Sequence, residues 1–210
     1  INSNGNVEKP IHEIHKKIDE SNENVLVLRG VRGSGRTTVL LEKEAKSYIG
    51  KEINIYHHFE HAGFGVTSKD VGIDLIKHRF ELEMASVFLR YIISKGIFDK
   101  RTEIISEELK ELRKLFVYDI NMLGVNGSFK SNIVQPGHYT EYLAKEIKSI
   151  YYPEKFSLLV DRFDWMFNRS VEAQECIRDY FPLFDQVVLT TDDETYSSKY
   201  PTIEVNYGKD

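Results

Sequence analysis

Gly30-Val31-Arg32-Gly33-Ser34-Gly35-Arg36-Thr37-Thr38 follows the apolar run Val25-Leu26-Val27-Leu28 and precedes Val39-Leu40-Leu41-Glu42-Lys43-Glu44-Ala45. A buried strand, a glycine-rich turn and a helix start, in that order, form the context of a phosphate-binding loop. Glycines keep side chains out of the way, so backbone N–H groups converge on phosphate oxygens at the positive end of the helix dipole. The pattern G-x-x-x-x-G-K-[ST] is met at every specified position but one. Thr37 stands where the hydroxyl that coordinates magnesium belongs, whereas Arg36 replaces the lysine. Guanidinium keeps the charge, but it is wider, planar and fixed in its donor geometry, so it fits less well between the β- and γ-phosphates. Gly30, Gly33, Ser34, Gly35, Arg36, Thr37 and Thr38 are the candidate nucleotide-binding residues.

A second stretch completes the pattern. Phe156-Ser157-Leu158-Leu159-Val160-Asp161 reads as an apolar strand ending in an acid, the form of a Walker B element. Such a strand must be buried to fix its carboxylate near the phosphate loop, and the carboxylate must sit at the strand end to reach hydrated magnesium. Asp161 is the metal-side carboxylate by this reading, with Thr37 as its partner at the ion. Asp164, three residues on, is placed to orient the attacking water as general base. Gln186-Val187-Val188-Leu189-Thr190-Thr191 reads as a further strand ending in hydroxyls, and Thr190 or Thr191 is expected beside the γ-phosphate. Asp164 and Thr190 are the candidate catalytic residues. An equally simple reading of Thr190 is a strand running into the polar loop Asp192-Asp193-Glu194.

Composition bounds the partners. The 210 residues suffice for one sizeable core, and 41% hydrophobic with 29% charged residues describes an ordinary soluble globular protein. A net charge of −5, from 28 basic and 33 acidic residues, does not favour nucleic acid, although a local basic patch is compatible with it. Cys176 is the only cysteine, which excludes an internal disulfide and suits a reducing, cytoplasmic setting. No apolar run is long enough to span a bilayer, and no signal peptide opens the chain, so no membrane partner is expected. The chain starts at Ile1 rather than methionine and reads as a piece of a longer protein or a processed product. Asn126-Gly127-Ser128 and Asn168-Arg169-Ser170 match the glycosylation pattern and are discounted as chance matches.

The remaining elements follow in chain order. Residues 1–20 read as a loose start and a helix, with Ile11, Ile14 and Ile18 at helical spacing. His12 and His15 are expected on its solvated face, since nothing nearby supplies the rest of a metal site. Ile53 to Phe59 reads as a second strand, whose end carries His57, His58 and, beyond it, His61, expected to face a loop rather than to hold a metal. Residues 68–98 and 102–116 carry helical apolar stripes, 119–137 reads as a long loop, and 139–151 as a helix closed by Pro153. Thr202 to Asn206 reads as the last strand. Residues 21–210 are therefore expected to form one core domain with a helical insertion at about 68–152.

With these blocks assembled, GVRGSGRTT, INIYHHFEHAGFGVTS, FSLLVDRFDWM and YFPLFDQVVLTTDD together resemble the nucleotide-binding module of STAND proteins. The likeness is to the NACHT-like branch of nephrocystin-type and telomerase-associated-type proteins, and it runs over roughly residues 20–207 at the level of motif order. There the second strand carries His-Phe, here His58-Phe59. The acid strand reads Asp, a small residue, an apolar residue and a second acid, here Asp161-Arg162-Phe163-Asp164. The resemblance implies a three-layer α/β/α sandwich with a mostly parallel sheet, the P-loop NTPase fold. It implies ATP or GTP with Mg2+ as ligand, used as a conformational switch with slow hydrolysis. It also implies other protein chains as partners, including self-assembly through this module. Arg36 in place of lysine, Arg162 in place of the small residue and the acids after Thr191 are departures that weaken the case for turnover. Two other readings compete: a scaffold that kept the fold and lost the ligand, and an AAA+-like ATPase that remodels or loads a nucleic-acid complex.

Overall fold

A computed structural model describes residues 8–58, 81, 84–92, 94–95, 139–163, 178–191 and 199–205. Most of the stripe at 68–98, the whole of 102–116 and 119–137, and also His61 and Asp164, lie outside the described residues. The chain divides into two compact units. One comprises Ile1–Phe64, Glu154–Arg169 and Phe184–Asp210, and the other Gly65–Pro153 and Ser170–Leu183.

The first unit is an α/β structure built on strands β1 (Val25–Arg29), β2 (Glu52–His58), β3 (Lys155–Asp161), β4 (Gln186–Thr190) and β5 (Thr202–Glu204), with helices α1 (Glu8–Glu20) and α2 (Arg36–Lys46). The strands form one sheet in the order β2-β3-β4-β1-β5, and every pairing is parallel. Parallel strands buried on both faces read as continuous apolar runs rather than alternating ones. That is why Val25-Leu26-Val27-Leu28 and Phe156-Ser157-Leu158-Leu159-Val160 carry apolar side chains to either side, and all five residues of β4 are buried.

The register places Tyr56, Leu159, Val188, Leu26, Leu28 and Ile203 on one face. There Ile14 and Ile18 of α1 and Val39 and Leu40 of α2 pack against them as one cluster. The opposite face carries Ile53, Ile55, Phe156, Leu158, Val187, Leu189 and Val27, which are also buried.

Polar groups stitch the amino ends of the strands. Asp185 donates its N–H to the Phe156 carbonyl at 2.8 Å and accepts from the Phe156 N–H through its carboxylate at 2.8 Å. Asn24, ahead of β1, donates from Nδ2 to the Phe184 carbonyl at 2.9 Å. Among the described residues, edge strand β2 meets a side chain rather than another strand at its middle. The Asn54 N–H donates to Ser47 Oγ at 2.8 Å, and the Ser47 hydroxyl donates to the Asn54 carbonyl at 3.1 Å. An edge covered in this way offers less unpaired backbone to another chain.

One expectation on α1 is corrected. His12 is exposed as foreseen, but His15 is buried, and its Nε2 lies 2.9 Å from the Val39 carbonyl in the first turn of α2. Residues 11, 14, 15 and 18 are spaced i, i+3, i+4 and i+7, so His15 belongs to the apolar stripe itself.

In the second unit, helix α3 (Tyr139–Tyr151) and the helical run 84–92 are joined by Tyr91 and Tyr151, whose rings meet edge to face with centroids 6.0 Å apart. The buried Glu81 carboxylate accepts from the Thr140 N–H at 2.7 Å and the Thr140 hydroxyl at 2.9 Å, an anion held at the start of α3.

Candidate functional site

The sheet order marks the end of the sheet at which the site lies. Chain leaving β1 travels towards β2 at one edge, while chain leaving the adjacent β4 travels to β5 at the other. Connections that part in this way open a gap at the carboxyl ends of the two strands, the usual place for a ligand in an open parallel sheet. Residues 30–35 fill the step from β1 to α2 at that end.

The loop has the conformation its glycines permit. Gly33 and Gly35 adopt φ of 85° and 89°, the left-handed region that side chains disfavour. The Ser34 N–H closes a tight turn on the Val31 carbonyl at 2.9 Å. Gly30 is required for space: a Cβ there would overlap Ser34 Oγ and the Val205 carbonyl oxygen. The start of α2 has no side-chain cap, and its first turn has no acidic residue. Ser34 is buried with its hydroxyl unpartnered among the described residues. A helix start without a cap, beside a buried hydroxyl without an acceptor, is a cradle suited to an anion.

Asp161 ends β3, two strands away from β1 in the sheet, and α2 brings Thr37 to it. Thr37 Oγ1 donates to Asp161 Oδ2 at 2.8 Å across 124 residues of chain. The Tyr56 hydroxyl donates to the same oxygen at 3.2 Å, and Thr190 Oγ1 donates to Oδ1 at 2.5 Å. Asp161 is 1% exposed. Burial first, and then the Asp161 carboxylate, push the Tyr56 phenol well above its ordinary range, so it stays protonated and remains a donor. Thr190 also accepts from the Arg162 N–H at 2.8 Å, which fixes its hydroxyl towards Asp161.

The two departures from the pattern occupy defined places. Arg36 Nη1 donates to the Thr191 carbonyl at 2.8 Å, which ties the guanidinium to the end of β4. Arg162 has φ of 54°, a conformation that costs an L-residue about 1–2 kcal/mol and that a small flexible residue adopts more cheaply.

Of the expected site residues, Thr37, Asp161, Thr190 and the loop from Gly30 to Thr38 thus come to one end of the sheet. Asp164 lies outside the described residues. Tyr56 was not foreseen, because its partner is on another strand and nothing local to β2 signals it. His57 and His58 end β2, and among the described residues no group of three or more His, Cys, Asp or Glu is placed to hold a metal. Magnesium held largely by water and phosphate needs fewer protein ligands than such a group supplies. Among the described residues no helix is long and apolar enough to cross a membrane. Comparison with protein-family models gives no match, and comparison with curated proteins gives none either.

Proposed function

We propose that this chain is a nucleotide-binding switch module of the STAND type, with the three-layer P-loop NTPase fold, weak in affinity and slow in hydrolysis. The observation that carries the reading is the 2.8 Å hydrogen bond from Thr37 to Asp161. It joins the hydroxyl and the acid that the two motifs assign to one magnesium ion. The uncapped start of α2 and the unpartnered Ser34 hydroxyl support a phosphate in the loop, whose close turn Gly30 permits. The apolar second face of the sheet supports a layer on each side.

In this reading the amides from Gly33 to Thr38 would receive the phosphates, and Thr37 Oγ1, with Asp161 acting through water, would hold the ion. Magnesium supplies charge neutralisation of the β- and γ-oxygens. Thr190 stands between the acid strand and the loop strand, where it senses whether Asp161 is engaged. Arg36 contributes less than lysine because its guanidinium is directed to the Thr191 carbonyl. That same contact favours the second reading, a scaffold without ligand whose loop is closed by its own arginine.

Titration with fluorescent ATP and GTP analogues in Mg2+ separates the two. The switch reading expects weak binding that Arg36→Lys tightens about tenfold, the worth of one charge-assisted hydrogen bond, and that Asp161→Ala weakens. Silence from both the wild type and Arg36→Lys defeats it and leaves the scaffold.

A further inference from the structure

The Asp161 carboxylate has a donor that the phosphate-loop pattern does not contain. Tyr56 is in register with Leu159, two residues short of the pair His58 and Asp161. Alternate residues share a face, so Tyr56 and Asp161 stand on the same side of adjacent strands. Two residues of strand rise about 6.6 Å, a gap that a tyrosine side chain leaning along the strand spans. The phenol therefore meets Oδ2 end on, at 3.2 Å.

We propose that Tyr56 is a positioning residue for the metal side of the phosphate site. With Thr190 it clamps the Asp161 carboxylate from β2 and β4 and leaves Thr37 as the one hydroxyl that exchanges Asp161 for the ion. This rests on the nucleotide reading given above.

The division of labour follows from the contacts. Thr190 is locked because it accepts from the Arg162 N–H while donating to Oδ1. Tyr56 is anchored by a ring packed against the cluster beneath α1 and α2. Thr37 is exposed, at the start of α2. A carboxylate offers about four lone-pair sites, of which these hydroxyls take three. Departure of Thr37 then frees a site on Oδ2 for ion-bound water, while Tyr56 prevents the carboxylate from turning after it.

Tyr56→Phe keeps the ring and removes only the hydroxyl. Mn2+ binding is followed by electron paramagnetic resonance with saturating ATP or GTP, and nucleotide binding alone is measured in chelator. Mn2+ affinity is expected to fall about tenfold, the low end for losing a group that hydrogen-bonds a metal's ligand. Cation-free nucleotide affinity is expected to hold, and 4-aminophenylalanine at position 56, which restores a donor, to recover most of the loss. A role in packing alone would lower the melting temperature and leave the ratio of the two affinities unchanged. Unchanged Mn2+ affinity, or an equal loss with and without cation, overturns the inference while the nucleotide reading stands. Failure of the wild type to bind nucleotide under either condition removes that reading and the inference with it.

Discussion

Gly30→Ala tests the loop where steric demand is greatest. The added Cβ would overlap Ser34 Oγ and the Val205 carbonyl oxygen, and it would lie 3.0 Å from Ser34 Cβ. The serine hydroxyl can rotate, but the carbonyl belongs to backbone held by the 2.7 Å bond from the Val205 N–H to Arg29. Either the loop rises or the chain after β5 retreats. Forcing one methyl into such a contact costs about 1–3 kcal/mol, which for a chain of this size lowers the melting temperature by roughly 2–4 °C per kcal/mol. Gly33→Asn is the matched control. Gly33 also has positive φ, but a Cβ there meets nothing within 4 Å, and asparagine tolerates the left-handed region. Urea unfolding of both variants should show the larger loss at Gly30, although only Gly33 of the two is conformationally unusual. Adding Ser34→Ala should restore part of the Gly30→Ala loss in a double-mutant cycle. A Gly30→Ala protein within about 0.5 kcal/mol of wild type, the range of an ordinary surface change, would refute the close approach on which the shape of the loop depends.

Two further outcomes concern the framework. Burial, more than any neighbouring charge, lowers the His15 pKa below its ordinary value of 6.5. The unfolded chain therefore binds the proton more readily, and the contribution of neutral His15 is complete above pH 6.5 and lost as pH falls from there through the lowered folded value. Urea midpoints of wild type and His15→Gln, compared from pH 7.5 to 5, should converge on acidification, and a constant difference would overturn this. Lys43 is fully buried on α2, with Nζ 2.5 Å from Asp19 and 3.6 Å from Glu52, whose side chains are 37% and 38% exposed. Lys43→Met should cost about 1 kcal/mol or less because the acids can hydrate, whereas Asp19→Ala with Glu52→Ala strands the ammonium and should cost about 3–5 kcal/mol. Equal losses in urea unfolding would contradict this asymmetry.

The elements were legible where local chemistry decides them. Val25 to Leu28 and Phe156 to Val160 are apolar runs too short for helices and end in a glycine turn or an acid, so their type and the end that matters can be read directly. The order β2-β3-β4-β1-β5 was not legible, because insertion of β4 between the loop strand and the acid strand is decided by packing between distant segments. It has a consequence for the site: Thr190 lies between the two motifs and reaches Asp161. His15 could have been found from the spacing with Ile11, Ile14 and Ile18. Lys43 shows how such spacing can mislead. It falls four residues after Val39 in the buried stripe of α2 and is acceptable there only because α1 and β2 each bring an acid.

The partners of Asp161 bear on whether the site kept a ligand. Withdrawing a carboxylate from water costs several kcal/mol unless an opposite charge or strong hydrogen bonds compensate. Asp161 accepts three hydrogen bonds from neutral hydroxyls on α2, β2 and β4, while Arg36 of the loop is tied to the Thr191 carbonyl. In a fold serving only as a scaffold, an apolar residue of similar size could fill the end of β3 without that demand. Here three hydroxyls, one of them on the exposed start of the loop helix, supply that compensation. The same reasoning applies to Arg162, whose left-handed φ turns the chain so that its N–H fixes Thr190. Backbone strain and a buried acid thus meet at one point, the end of β3.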